Sequence, residues 1–193
     1  MRRNVSLGYI VAVLAGILIV GITVGLTTNT SNAQIEPSTK LTVTDSPEDR
    51  ENVLWLARAI YSETKRPWEM GIIAWVVRNR VETEYMGSTY KGVVLRKNQF
   101  SGLNPSDRNY QHNISRSYES SGQKWTNALI VAKAIYYADD SLRPMPKTVR
   151  HFYSPRSMKN GATPSWTANA RLIHTITDPY ENSIRFAFYD SVK

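Results

Sequence analysis

Glu63 is the side chain in this sequence best placed to move a proton. It closes the run Ala59-Ile60-Tyr61-Ser62. At about 100° per residue it falls beside Leu56, at the edge of a helix face formed by Val53, Leu56, Ala57, Ile60 and Thr64. A carboxyl group held against apolar and aromatic walls has its charged form disfavoured, so its pKa rises and it can keep a proton near neutral pH, as a general acid must. Of the fourteen acidic residues after Pro47, most others sit in polar stretches: Glu48, Asp49 and Glu51 in a helix start, Glu82 and Glu84 at a helix end, Asp139 and Asp140 likewise. The plain alternative for Glu63 is a helix-end glutamate paired with Lys65 or Arg66. Other chemistries find few residues. The absence of cysteine excludes disulfides, thiolate zinc sites, iron–sulfur clusters and a cysteine nucleophile. His112, His151 and His174 are too scattered for a zinc motif such as His-Glu-x-x-His, so no metal and no cofactor is expected. Neither a Gly-x-Ser-x-Gly elbow nor a phosphate loop is present.

The elements that must position Glu63 are legible around it. Ser46-Pro47-Glu48-Asp49 supplies an N-cap residue, proline at the first helical position and acids in the first turn, which predicts a helix running to about Glu63. Pro67 opens a second helix through Met70, Ile72 to Val77 and on to Val81; it is apolar on nearly every side and therefore central. Arg78 and Arg80 at its end are expected to pair with acids. Met86 to Lys124, with scattered Gly, Ser, Asn and Asp, reads mostly as loop with one short helix. Trp125 to Ala138 predicts a third helix. Thr148 to Tyr153, Leu172 to Thr177 and Ile184 to Tyr189 are strand-like, the last two separated by Asp178-Pro179-Tyr180-Glu181-Asn182. The expected fold class is α+β, helices first and a small antiparallel sheet last.

Several short motifs occur in a fixed order. The run Leu56-Ala57-Arg58-Ala59-Ile60-Tyr61-Ser62-Glu63, Gly71 eight residues after that glutamate, and Val76-Val77-Arg78-Asn79-Arg80-Val81 come first. Gln99-Phe100-Ser101, His151-Phe152-Tyr153 and Pro164-Ser165-Trp166 follow. Together they resemble the cell-wall hydrolases related to the spore cortex-lytic enzymes, over about residues 50–190. The resemblance implies a lysozyme-like fold, related to lytic transglycosylases, acting on peptidoglycan glycan strands with Glu63 as catalytic acid/base. One departure stands out: where family members often carry Gly-Glu-Pro, this chain has Arg66-Pro67-Trp68 and lacks that second acid. Glycosidases generally need two carboxyl groups, whereas a lytic transglycosylase can use one, as acid and then as base while the muramyl 6-hydroxyl closes onto C1. Hydrolysis by water would be served by the same acid, and a noncatalytic wall-binding module is the further alternative. Around the groove, Gln99 and Ser101 can hydrogen-bond sugar substituents, and Tyr61, Phe100, Tyr153 and Trp166 can offer flat faces to pyranose rings, with His151 beside them.

The N-terminus belongs to a different environment. From Leu7 to Leu26 no residue is charged, and these twenty residues would span ~30 Å as a helix, about the hydrocarbon thickness of a bilayer. Arg2 and Arg3 precede the run and no Lys or Arg follows until Lys40, an asymmetry that places the remainder outside the cytoplasm. Ser31-Asn32-Ala33 is an acceptable cleavage site, which would release a secreted protein, but the apolar run exceeds the usual ~7–15 residue signal core and favours a retained anchor. The expected organisation is a membrane anchor or signal over 1–27, a flexible linker over 28–46 and a catalytic domain over 47–193. With 24 Lys+Arg against 16 Asp+Glu the chain carries +8, spread along its length. Export and that spread argue against nucleic acid as partner and towards anionic wall polymers and lipid headgroups. The oligomeric state stays open.

Overall fold

The computed structural model describes residues 45–192. Helix α1, Pro47–Glu63, starts as its sequence dictates: the Asp49 amide donates to Ser46 Oγ at 3.0 Å and the Asp49 carboxylate accepts from the Ser46 amide at 3.1 Å. This reciprocal pair satisfies two of the donors that every helix start leaves open. Val53, Leu56, Ala57 and Ile60 are fully buried, and Trp55, Ala59 and Tyr61 extend that burial around the helix. Thr64 ends it in an extended conformation, its amide still bonded to the Ile60 carbonyl at 3.1 Å. Helix α2, Pro67–Glu82, buries Met70 and every residue from Ile72 to Val77, the all-round burial expected of a central helix.

The stretch from Met86 to Lys124 is more structured than the sequence suggests. It holds α3, Tyr90–Val94, a 3-10 turn at Ser101–Leu103 and α4, Tyr110–Ile114, in place of one short helix. Each is a single turn with too few residues for a hydrophobic period to register, and tertiary contact holds it. Helix α5 runs Gln123–Tyr136 and packs on both α1 and α2. Gly122 leads into it at φ 112°, a conformation that glycine adopts without strain.

Three antiparallel strands close the domain in the order β1-β3-β2: β1 is His151–Tyr153, β2 Arg171–Thr177 and β3 Ile184–Asp190. Phe152 lies opposite Phe188 and His151 opposite Tyr189. Phe152, Phe186 and Phe188 pack together with centroid separations of 5.8 to 6.4 Å. The first strand is shorter than the expected Thr148 to Tyr153 because side chains take the carbonyls a ladder would use. Asn79 Nδ2 donates to the Val149 carbonyl at 2.8 Å and Arg80 Nε to the Arg150 carbonyl at 2.6 Å. Thus α2 is tied directly to the entrance of β1. The architecture is mixed α+β with a small antiparallel sheet, as the sequence indicated. Leu7–Leu26 lies outside the described residues, and no described helix is long and apolar enough to cross a membrane.

Candidate active site

Glu63 is the last residue of α1. Part of its surface remains open while protein packs densely around its carboxyl group. Burial lifts its pKa from 4.5 to about 7, against smaller opposing pulls from Arg80 and Lys65. No described residue hydrogen-bonds it or forms an ion pair with it, and the helix-end pairing with Lys65 or Arg66 does not occur. Lys65 folds back: Nζ donates to the Tyr61 carbonyl and lies 3.6 Å from the Tyr61 ring centroid. Its pKa falls to about 8 through burial and then the charge of Lys124. Arg66 turns away to Asp178 at 3.0 Å.

Glu69, which the sequence reading passed over, is fully buried. Arg185 on β3 binds it through both Nε and Nη2, the latter at 3.2 Å, and Thr64 Oγ1 donates to its Oε2. Arg66 adds a longer contact at 3.7 Å. With both oxygens engaged and no exposed surface, Glu69 fixes the turn that follows Glu63. An acid in the first turn of α2 reads from sequence as a favourable charge at a helix N-terminus. Its burial depends on an arginine 116 positions away, for which no local pattern gives a signal.

The Gln99-Phe100-Ser101 segment seats against the end of α1. Phe100 is only 1% exposed, beneath the Arg80 guanidinium at 5.5 Å and beside Phe152 at 6.3 Å. Its face is therefore unavailable to a sugar, and the expected stacking role is corrected to core packing that joins the turn to β1. Gly102 is required here: a Cβ would lie 2.9 Å from Asn113 Nδ2 and 3.2 Å from Ser62 Cβ. Asn113 Nδ2 donates to the Gly102 carbonyl at 2.8 Å and holds the approach. Ser101 is exposed and Gln99 half-buried, its side-chain amide without a protein partner among the described residues. A cavity of about 310 Å³ opens here, lined by Tyr61, Ser62, Lys65, Ser101, His112 and Asn113 among others. Glu63 is not part of that lining, but Ser62 and Lys65 bracket it in the chain. Tyr61 contributes an edge, because its ring packs on Trp125 at 5.5 Å with Lys65 and Arg116 over it.

His151, Tyr153 and Trp166 come together in a second cluster. Successive strand residues face opposite ways, so His151 and Tyr153 leave the sheet on the side away from Phe152. Trp166, from a 3-10 turn over Ser165–Asn169, sits 5.4 Å from His151, 6.0 Å from Tyr153 and 5.3 Å from Tyr189. His151 Nε2 is 3.0 Å from the Tyr85 hydroxyl. Burial, then Arg80 and Arg150, push its pKa down to about 4, so the ring is neutral near pH 7. Arg80 connects the two regions, since its charge acts on both Glu63 and His151. The expected pairing of Arg78 with acids is found, to Glu82 at 2.6 Å and Asp140 at 3.6 Å. For Arg80 it is not: the side chain is 3% exposed, bonds a carbonyl, and leaves Nη1 buried without a hydrogen-bond partner. Among the described residues no group of acidic or histidine side chains is arranged to hold a metal ion.

A family model described as cell wall hydrolase matches residues 68–179, a span that begins just after Glu63 and contains α2, the Gln99–Ser101 segment, β1 and Trp166. No curated protein and no solved structure matches the chain.

Proposed function

We infer the function from one premise: the chain belongs to the cell wall hydrolase family, whose model covers more than half of it. Its substrate is peptidoglycan. Within that class we propose that it cleaves the glycan strand between N-acetylmuramic acid and N-acetylglucosamine, with Glu63 as the sole acid/base. The observation that carries this reading is the state of the Glu63 carboxyl, desolvated to a pKa of about 7 and free of any ion partner among the described residues. The other deeply buried acids are engaged. Asp178 is held low by the Tyr180 amide and Arg66, Asp190 by Arg171, and Glu69 is clasped by Arg185.

Protonated Glu63 gives its proton to the bridging oxygen as the C1–O bond breaks, and N-acetylglucosamine leaves with a hydroxyl. The resulting carboxylate, eased by the charge of Arg80, takes the proton of the muramyl 6-hydroxyl as that oxygen bonds to C1, forming a 1,6-anhydro end. The engagement of Glu69 supports this one-carboxylate route, since an inverting or retaining mechanism asks for a second acid. Gln99 and Ser101 would hold polar sugar substituents, and Tyr153, Trp166 and His151 would form an aromatic wall. An acid at the end of a helix beside a small antiparallel sheet fits a lysozyme-like arrangement. The uncharged N-terminal run would hold the domain on the outer side of the membrane, beside its substrate.

Mass spectrometry of the products tests the route: anhydromuramic ends are expected, and reducing ends would replace it with attack by water. Glu63→Gln should abolish turbidity loss on purified sacculi while binding persists. Unchanged lysis would remove Glu63 from the role.

A further inference from the structure

The cavity near the end of α1 has basic side chains in and behind its wall. Lys65 lines it, and Arg116 reaches its wall, donating to the Tyr61 hydroxyl at 3.4 Å and contacting His112 Nε2 at 2.8 Å. The remaining Arg116 bond goes to the Ser121 carbonyl at 3.0 Å. A guanidinium only donates, so His112 Nε2 accepts in this contact. Lys124 lies close enough for its charge to bear on Lys65. None of these three cations has a carboxylate within ion-pair distance among the described residues. Asp107 also lines the cavity, with Oδ1 engaged by the Asn109 amide at 2.7 Å, and Glu63 is the other nearby acid. Lys65 and Asp107 thus balance in the lining, and Arg116, bonded to the lining residues Tyr61 and His112, adds a positive charge behind the wall.

Resting on the reading of Glu63 as the acid, we propose that this cavity binds a carboxylate carried by the substituent on the muramyl 3-oxygen. Three observations select that ligand. The cavity is lined by Ser62 and Lys65, which flank Glu63 in the chain and place the cavity at the same end of α1 as the proposed acid. Its other lining, from Ser101, Asn109 and Asn113, is polar and suits a hydrated acid or amide group more than an acyl chain. A phosphodiester on the muramyl 6-oxygen would block the oxygen that must close onto C1, whereas the 3-oxygen takes no part in the reaction. The carboxylate is either the free lactyl group of a peptide-free strand or a stem-peptide carboxylate on a substituted one.

The test compares soluble glycan chains of equal length in three forms: peptide-free with the lactyl carboxylate intact, peptide-free with that group capped as a neutral methylamide, and peptide-bearing. The full-length protein should show a KM about tenfold lower for at least one carboxylate-bearing form than for the capped form, the difference one charge-assisted contact supplies. Which form is favoured assigns the carboxylate to the lactyl group or to the stem. The ratio should collapse towards one in Lys65→Met with Arg116→Gln, and, in the unmodified protein, as salt is raised from ~50 to ~500 mM. The salt arm stands even where the double variant fails to fold. Equal KM for all three chains with cleavage intact overturns the anionic subsite and leaves the role of Glu63 standing. Failure to cleave any of them overturns the proposed function itself.

Discussion

Replacing Glu63 by Gln removes a titration whose size is set by its burial. Burial lifts this carboxyl from its ordinary 4.5 to about 7. At about 1.4 kcal/mol for each tenfold change in proton affinity, that rise corresponds to about 3 kcal/mol. Below about pH 4.5 the folded and unfolded chains both hold the proton, and Glu63 carries no ionisation penalty. Between about 4.5 and 7 the unfolded chain releases it while the folded chain does not, so stability falls as pH rises. Above about 7 both forms are ionised and the loss is complete. Gln has no such dependence. The unfolding free energy of Glu63→Gln minus that of the unmodified protein should therefore rise by about 3 kcal/mol on going from ~pH 4 to ~pH 8.5. Taking the change between two pH values cancels the fixed effect of burying an amide, ~1–3 kcal/mol, together with the titrating groups that do not feel the charge of Glu63. Urea unfolding of the two proteins at four pH values gives the measurement. A difference that stays flat would show that the carboxyl is solvated in the folded state, and the general-acid assignment would go with it.

Four further outcomes are expected. Thr64→Val deprives Glu69 of a hydroxyl donor in a fully buried site and should cost about 1–3 kcal/mol in urea unfolding, with Thr64→Ser recovering most of it. Gly102→Ala forces a methyl group to 2.9 Å from Asn113 Nδ2 and should destabilise by about 1–3 kcal/mol while lowering lysis, because the Ser101 turn must lift from α1. The His151 ring, held down to about 4, should show no titration between ~pH 5 and ~pH 8 in NMR spectra, and a midpoint in that range would contradict its burial against Arg80 and Arg150. In a Glu63→Gln background, Trp166→Ala should weaken co-sedimentation with sacculi about tenfold, while undiminished pelleting would confine Trp166 to packing.

What the sequence disclosed was local. The start of α1 was readable because Ser46, Pro47 and Asp49 act on atoms within three residues of one another. The central position of α2 was readable because it is apolar on nearly every side. The short turns between Met86 and Lys124 were hidden, since Asn113 to Gly102 and Gly102 against Ser62 are contacts between segments and leave no period in the chain. Phe100 misled for a related reason: an aromatic beside Gln and Ser reads equally as wall or core, and the choice was made by Phe152 and Arg80. The clasp on Glu69 lay furthest out of reach, because the arginine that neutralises it belongs to β3.

The arginines explain why one carboxylate can remain available. Arg185 binds Glu69, Arg66 binds Asp178 and Arg171 binds Asp190, so each of these three buried acids has a cation in contact. A fourth arginine, Arg80, lies near Glu63 and does not pair with it. Its Nε is drawn to the Arg150 carbonyl at 2.6 Å and its guanidinium rests 5.5 Å from the Phe100 centroid. Direct contact would drive the Glu63 carboxyl down as Arg171 does Asp190, and the proton would be gone at neutral pH. Without any cation nearby, burial would act unopposed and the carboxylate would be a costly product of proton transfer. Held at this remove, Arg80 leaves Glu63 able both to give a proton and to take one back.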